Sequence, residues 1–406
     1  MSRAVTGSVG FLALAAALAA IALGRASRGA ERPAFDGYAL VGNQGFRIGL
    51  YDRDGSLRRS TRLSAPSQPR GICLAKDGDL YVAAWGSKGA NLFRLNRHGV
   101  ETARYSVLGP DRFAKTVAAA PDGDIVLAFQ SESRLVRFRP RTGAIVWDAP
   151  TGPLPRGIAV SGDGSIWVAA KGGNVRDGDR ADDGRLVKHA ADGSIVLEVA
   201  VPLGARGVAV DADGNCWTAI LGQQTGVAED SANSADDRRV LKVSPAGEIL
   251  VTREIGLGPF AVACAADGSA YVTCSREESV WKLAPDGTPD ARFGAGGRVD
   301  LKTLAPHPLS VAIDGEGAVW VASNYAGKAA EKRPVDVVRL DGATGALRPG
   351  FPVRYPLAVR PETLGDPSGY ALANVVDPQG DIDGDGARNR DELLAGKNPF
   401  DPASRP

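Results

Sequence analysis

The densest set of candidate metal ligands lies near the C-terminus. In DIDGDGARNRDE, Asp381, Asp383, Asp385, Asn389 and Glu392 take loop positions 1, 3, 5, 9 and 12. Gly386 takes position 6, and the backbone carbonyl of Ala387 serves at position 7. Carboxylates packed this closely repel one another, and a hard divalent cation relieves that repulsion; Gly386 permits the sharp bend. Glu392 opens a short helix expected at DELLAG and can present both oxygens. The expected ion is Ca2+. Single extracellular modules of this kind bind on the order of 10⁻⁴–10⁻³ M, so its role is expected to be structural.

A second set is spread along the chain. Arg70, Lys115, Arg156, Arg206, Phe260, Leu309 and Leu357 each follow the first residue of a recurring phrase. The phrase is a Pro or Ala, a large residue, a small one, an apolar triplet, then Asp-Gly, then an apolar run. It reads PRGICLAKDGDLYVAA from Pro69, AKTVAAAPDGDIVLAF from Ala114 and PRGIAVSGDGSIWVAA from Pro155. It returns as ARGVAVDADGNCWTAI from Ala205, PFAVACAADGSAYVTC from Pro259 and PLSVAIDGEGAVWVAS from Pro308. The starts are 45, 41, 50, 54 and 49 residues apart. Guanidinium and ammonium groups gathered in this way could hold carboxylates or phosphates, and the apolar members could hold a hydrocarbon part.

The elements that would position them follow from the same repeat. Each copy continues into a third strand and a turn, as in NLFRLNRHG at Asn91, RLVRFRPRTG at Arg134, RLVKHAADG at Arg185, RVLKVSPAG at Arg239 and SVWKLAPDG at Ser279, and then into a short fourth strand. Four strands per unit with Gly-containing hairpin turns predict the blades of an all-β propeller. The 51 Gly and 26 Pro fit a chain rich in tight turns. Seven blades are expected. DGYALVGNQGFRIGLYDRDG (36–55) lacks a first strand, and YPLAVRPE (355–362) matches HPLSVAID (307–314), so both chain ends would build one blade and hide its edges. SGYALAN at Ser368 could be a second C-terminal strand, which leaves six or eight blades open.

The repeat resembles the NHL, gluconolactonase-like (SMP-30-like) and streptogramin-lyase-like propellers, in which a Pro-x-Gly-Ile-Ala-Val strand precedes Asp-Gly and an aromatic strand. The resemblance covers about residues 36–362. It implies that the innermost strands begin on the binding face and that the Asp-Gly turns lie opposite. Asp77, Asp122, Asp163, Asp213 and Asp267 are then turn residues, and the second-position residues ring the mouth of a central channel. Four of these are cations and three are apolar. Acid-rich loops on the same face, with Asp177, Asp179, Asp182 and Asp183 in one and Glu229, Asp230, Asp236 and Asp237 in the next, could neutralise Arg156 and Arg206. These loops and 324–333 are the expected source of specificity.

The same resemblance bears on catalysis. Lactonase-like members use Asn, Asp and Glu at the starts of inner strands to hold a divalent metal; here those places hold Arg, Lys, Phe and Leu. Streptogramin-lyase-like members need a His–Glu pair on the binding face. His98 with Glu101 is expected in a turn on the opposite face, His189 ends a third strand, and only His307 falls near the channel mouth. Catalysis is therefore not favoured, and an enzyme of lyase or lactonase type is the alternative to a binding module. The tail, about residues 377–402, resembles a bacterial thrombospondin type 3 repeat, a relative of the EF-hand loop. Arg388 replaces the apolar residue by which paired EF-hands join, and KNPFDP follows.

Residues 1–30 read as a secretory signal peptide, with an apolar run at 11–24 after Arg3 and small residues beyond it. Without cleavage the longer stretch from Val5 to Gly24 is just long enough for an anchor at about 20 residues, a reading that Arg25, Arg28 and Arg32 disfavour. The propeller is assigned to 31–376 and the calcium-loop tail to 377–406. The protein is expected outside the cytoplasm, periplasmic or secreted, as a monomer without a transmembrane domain once the signal is removed. With 48 basic and 47 acidic residues the net charge is +1, which gives no global bias toward nucleic acid; the expected partner is a ligand or protein with an anionic side. Cys73, Cys216, Cys264 and Cys274 form no CxxC pair and are expected as free thiols, with Cys264 opposite Tyr271.

Overall fold

The computed structural model describes residues 37–42, 47–52, 54, 57–65, 67–75, 77–86, 89–110, 112–172, 184–223, 235–314, 316–323, 336–354 and 369–375. Regular structure among them is all strand, arranged as a β-propeller. Among the described residues no helix is long and apolar enough to cross a membrane.

Six blades are each built from four strands in sequence, counted from the channel outward. The first holds Ser67–Leu74, Leu80–Gly86, Leu92–Leu95 and Glu101–Tyr105; the second Ala114–Ala119, Ile125–Phe129, Arg134–Arg139 and Ala144–Pro150. The third holds Pro155–Val160, Ile166–Ala170, Gly184–His189 and Ile195–Val201; the fourth Ala205–Val210, Cys216–Ile220, Arg239–Val243 and Ile249–Glu254. The fifth holds Pro259–Cys264, Ala270–Cys274, Ser279–Leu283 and Arg298–Asp300; the sixth Pro308–Ile313, Val319–Ser323, Asp336–Leu340 and Val353–Arg354.

The expected count of seven blades needs correction: the described residues form six blades of this kind. One further four-stranded sheet is composite, running from Leu57–Arg62 through Arg47–Asp52 and Gly37–Gly42 to Gly369–Val375. Its inner strand, Gly369–Val375, neighbours Pro308–Ile313 on one side and Ser67–Leu74 on the other. The strand expected in that place, 355–362, lies outside the described residues. Gly369–Val375 has no proline and pairs antiparallel with Gly37–Gly42, matching Gly37 with Val375 and Ala39 with Ala373. The rival segment would put Pro361 where the sixth blade has Ile313 paired with Val319, and a proline has no amide to give a ladder.

The Asp-Gly turns form as the phrase predicts. Gly164, for example, has φ 82°, and the Asp163 carboxylate accepts from the Ser165 amide at 2.9 Å. Asp77, Asp122 and Asp267 make the same two-residue bond. In the fourth blade Asp211 does this work instead, taking the amides of Asp213 and Asn215. The fifth-blade loop closes between the Ala265 amide and the Ser269 carbonyl, so Cys264 faces Ala270 rather than Tyr271. The four cysteines are free, and burial, with Asp211 nearby, pushes the Cys264 thiol up to about 12.

Each blade buries its faces against its neighbours. Tyr81, Phe129 and Phe138 join the first two blades, and Trp167 and Leu186 pack with Cys216 and Leu241 between the third and fourth. Tyr51, Trp320 and Phe351 join the sixth blade to the composite sheet. Burying such a side chain stabilises by about 1.5–3 kcal/mol. Cations of the third strands are part of this structure. Arg339 lies 5.1 Å from the Trp320 ring centroid and donates to Asp314, which also accepts from the Trp320 indole at 2.8 Å. Lys242 repeats the arrangement with Trp217 and Asp211.

Candidate functional site

A bulge in each of the six consecutive inner strands builds the site. Pairing to the second strand slips by one residue between Pro69 and Gly71, Ala114 and Thr116, Pro155 and Gly157, and Pro308 and Ser310. In the fourth and fifth blades the slip lies between Ala205 and Val208 and between Pro259 and Val262. The residue thrown out of the ladder is each time within the segment that carries Arg70, Lys115, Arg156, Arg206, Phe260 or Leu309. A bulge re-aims a side chain, and here it turns all six into the central channel.

Two further features hold the bulges. In the fourth blade the buried Thr218 hydroxyl donates to the Gly207 carbonyl at 2.9 Å, and in the fifth Thr273 accepts from the Ala261 amide at 3.1 Å. Glycine after the arginine lets inner strands approach one another. A Cβ on Gly157 would stand 2.2 Å from the Arg206 carbonyl oxygen, and one on Gly207 would stand 2.6 Å from that of Phe260. The small third residue of the phrase is therefore a requirement of channel diameter.

The six side chains meet around one cavity of ≈ 190 Å³. Lys115 and Arg206 are 9% and 4% exposed, so these cations are more deeply set than Arg70 and Arg156. Aromatic rings hold several of them. The Arg206 guanidinium lies 4.4 Å from the Phe260 ring centroid, and Arg70 and Lys115 lie 5.9 and 5.7 Å from that of Phe113. Such contacts favour a cation by about 0.5–2 kcal/mol according to desolvation. On the other arc Phe260 and Leu309 pack with Leu221 as one apolar cluster. Charge thus gathers on the first four blades and apolar surface on the fifth and sixth.

The remaining expected residues fall elsewhere. His307 does not line the cavity; it takes φ 57° in the link before Pro308, with Nδ1 3.1 Å from the Ser275 carbonyl. Leu154, Gly204 and Gly258 take the same left-handed turn before their own inner strands. Leu357 lies outside the described residues, as do Asp381, Asp383, Asp385, Ala387, Asn389 and Glu392 of the expected calcium loop. Of the acids placed near Arg206 by sequence, Asp237 is held by Arg239, whose amide it accepts at 2.8 Å.

The histidine and carboxylate chemistry considered from sequence takes other forms. Glu101 accepts from the Ser64 amide at 2.8 Å, while the His98 ring accepts from Arg97. His189 is fully buried between Thr151 and the Gly193 carbonyl, and burial holds its pKa below the usual value. Among the described residues no group of three or more His, Cys, Asp or Glu is placed to hold a metal. Sequence reasoning missed Phe113. Its signal was an aromatic immediately before the inner strand, where later blades have Leu154, Gly204, Gly258 and His307.

No protein-family model and no curated protein matches the chain. Solved structures with this fold do. Virginiamycin B lyase from Staphylococcus aureus aligns at TM-score 0.53 with 17% identity, over 68% of this chain and 84% of that one. A streptogramin B lyase aligns at 0.55 with 15% identity, over 72% and 92%. Hydrazine synthase of Kuenenia stuttgartiensis aligns at 0.56 with 15% identity, over 73% and 90%. At these identities the likeness is one of fold, and one fold carries many activities.

Proposed function

We propose that this β-propeller is a non-catalytic binding module acting outside the cytoplasm, and that its channel mouth receives a ligand or partner protein with an anionic side and an apolar side. The observation that carries the reading is the single cavity at which Arg70, Lys115, Arg156 and Arg206 meet Phe260 and Leu309. A ring of cations disfavours a catalytic divalent metal at this place and favours carboxylates or phosphates. Export through residues 1–30, a monomeric state and a calcium-stabilised tail at 377–406 complete the proposal.

The test is anion binding by the purified chain. Replacing Arg70, Arg156 and Arg206 together is expected to abolish it, and unchanged binding would dispose of the reading. Turnover of a lactone or a streptogramin that chelator suppresses would replace it with an enzyme. For the tail, calcium calorimetry on the wild type and Asp381→Ala is expected to give heat only from the wild type; equal heats would remove the ion.

A further inference from the structure

The dimensions of the throat narrow the ligand. An apolar cavity of about 150 Å³ accepts one benzene molecule. The throat, at ≈ 190 Å³, therefore has room for one ring or a chain of like bulk.

Its lining sets the chemistry. Arg156 and Arg206 come from consecutive blades, with Lys115 and Arg70 from the blades before them, so positive charge covers one arc. The facing arc is Phe260 and Leu309, backed by Leu221. Ile72, Ile158 and Val262, two residues further along the inner strands of Arg70, Arg156 and Phe260, also line the cavity. An anion bearing no hydrocarbon would leave the apolar arc facing its hydrated oxygens, which is costly without partners. A phosphate meets the same difficulty with its third and fourth oxygens. A carboxylate presents a flat two-oxygen edge that matches a guanidinium, and its substituent points away from that edge.

We infer that the throat is a receptor site for a small apolar carboxylate, one ring or its equivalent in size, with the carboxylate on the arginine arc and the hydrocarbon against Phe260 and Leu309. The inference rests on the proposed anion-binding role of the channel mouth and assigns the chemical class of its ligand.

Three probes separate the parts: benzoate carries both features, benzyl alcohol only the ring, and inorganic phosphate only the charge. Titration of the full chain, followed by calorimetry or by protein NMR, is expected to show saturable benzoate binding that salt weakens. Phosphate and benzyl alcohol are each expected to bind about tenfold more weakly or worse, the loss of one favourable interaction of the charge-assisted or apolar kind. Arg156→Gln is expected to weaken benzoate and phosphate alike. Leu309→Ala is expected to weaken benzoate and leave phosphate unchanged; Leu309→Asn, checked for an intact fold by its thermal melt, repeats the test should the alanine variant unfold. Phosphate binding as tightly as benzoate would overturn the inference and leave the anion-binding mouth standing. Failure of both anions to bind would overturn the two together.

Discussion

The guanidinium of Arg206 lies 4.4 Å from the centroid of the Phe260 ring, across the boundary between the fourth and fifth blades. This contact is where the charged arc of the channel meets the apolar one. It buries Arg206 to 4% exposure and gives the cation a fixed plane. Phe260→Ala is expected to lower stability by about 2–4 kcal/mol through the cavity it leaves and to weaken anion binding because Arg206 loses its support. Arg206→Lys keeps the charge but cannot stack a planar fork, and a smaller loss near 1 kcal/mol is expected. Urea unfolding midpoints with anion titrations of the folded variants provide the check. A Phe260→Ala protein with an unchanged midpoint would show that the stack supports nothing.

Gly157 sets the distance between the third and fourth inner strands. An added methyl would lie 2.2 Å from a backbone oxygen, Arg206 O, which has no flexible end to move aside. Gly157→Ala is therefore expected to destabilise by about 1–3 kcal/mol, the usual cost of overpacking, and to widen the channel at Arg206. Gly162→Ala is the control, because nothing stands within 4 Å of its added Cβ. Thermal melts showing equal losses at both positions would contradict the close-approach account.

Much of this site could be read from the sequence. The phrase repeats with so little variation that the residue after its first position had to fall at equivalent places, and six of the seven ring residues do line one cavity. The bulges that aim them could not be read. An extra residue in one strand shows only when pairing to the next is known. Phe113 stood outside the phrase and escaped for that reason. The closing strand was expected at 355–362, whereas Gly369–Val375 pairs with Gly37–Gly42, more than three hundred residues away. Cys264 was misplaced by one residue because the turn loop runs from Ala265 to Ser269 rather than tightening on Asp267 and Gly268. Local pattern reached the composition of the site, and long-range pairing decided its geometry.

Buried and exposed ion pairs of this propeller should differ sharply. Arg339 and Asp314 are 10% and 6% exposed at their side chains, and the pair also fixes the Trp320 indole. Asp314→Ala leaves Arg339 buried with less compensation, so a loss of about 3–5 kcal/mol is expected. Lys302 and Asp300, 3.9 Å apart, are 61% and 52% exposed at their side chains. Lys302→Ala is expected to change stability by less than about 1 kcal/mol. Denaturant titrations of the two variants supply the comparison, and similar losses would mean that burial does not govern these pairs.

His189 gives the fold a pH dependence of known sign. Burial disfavours its charged form and outweighs the Gly193 carbonyl and Glu198, which act the other way, so its folded-state pKa is depressed. On acidification the unfolded chain takes up this proton first, near the ordinary histidine value of about 6.5. The folded state refuses it until lower pH. The contribution of neutral His189 is thus fully present above about pH 6.5 and is lost as the pH falls below it. Carboxylates elsewhere titrate in the acid range as well, so the informative quantity is a difference. Melting temperatures of the wild type and His189→Gln, measured from pH 7.5 to pH 5, are expected to converge toward the acid end, because the glutamine variant has no proton to gain there. Curves that stay parallel across this range would show that His189 accepts its proton in the fold as readily as in the unfolded chain.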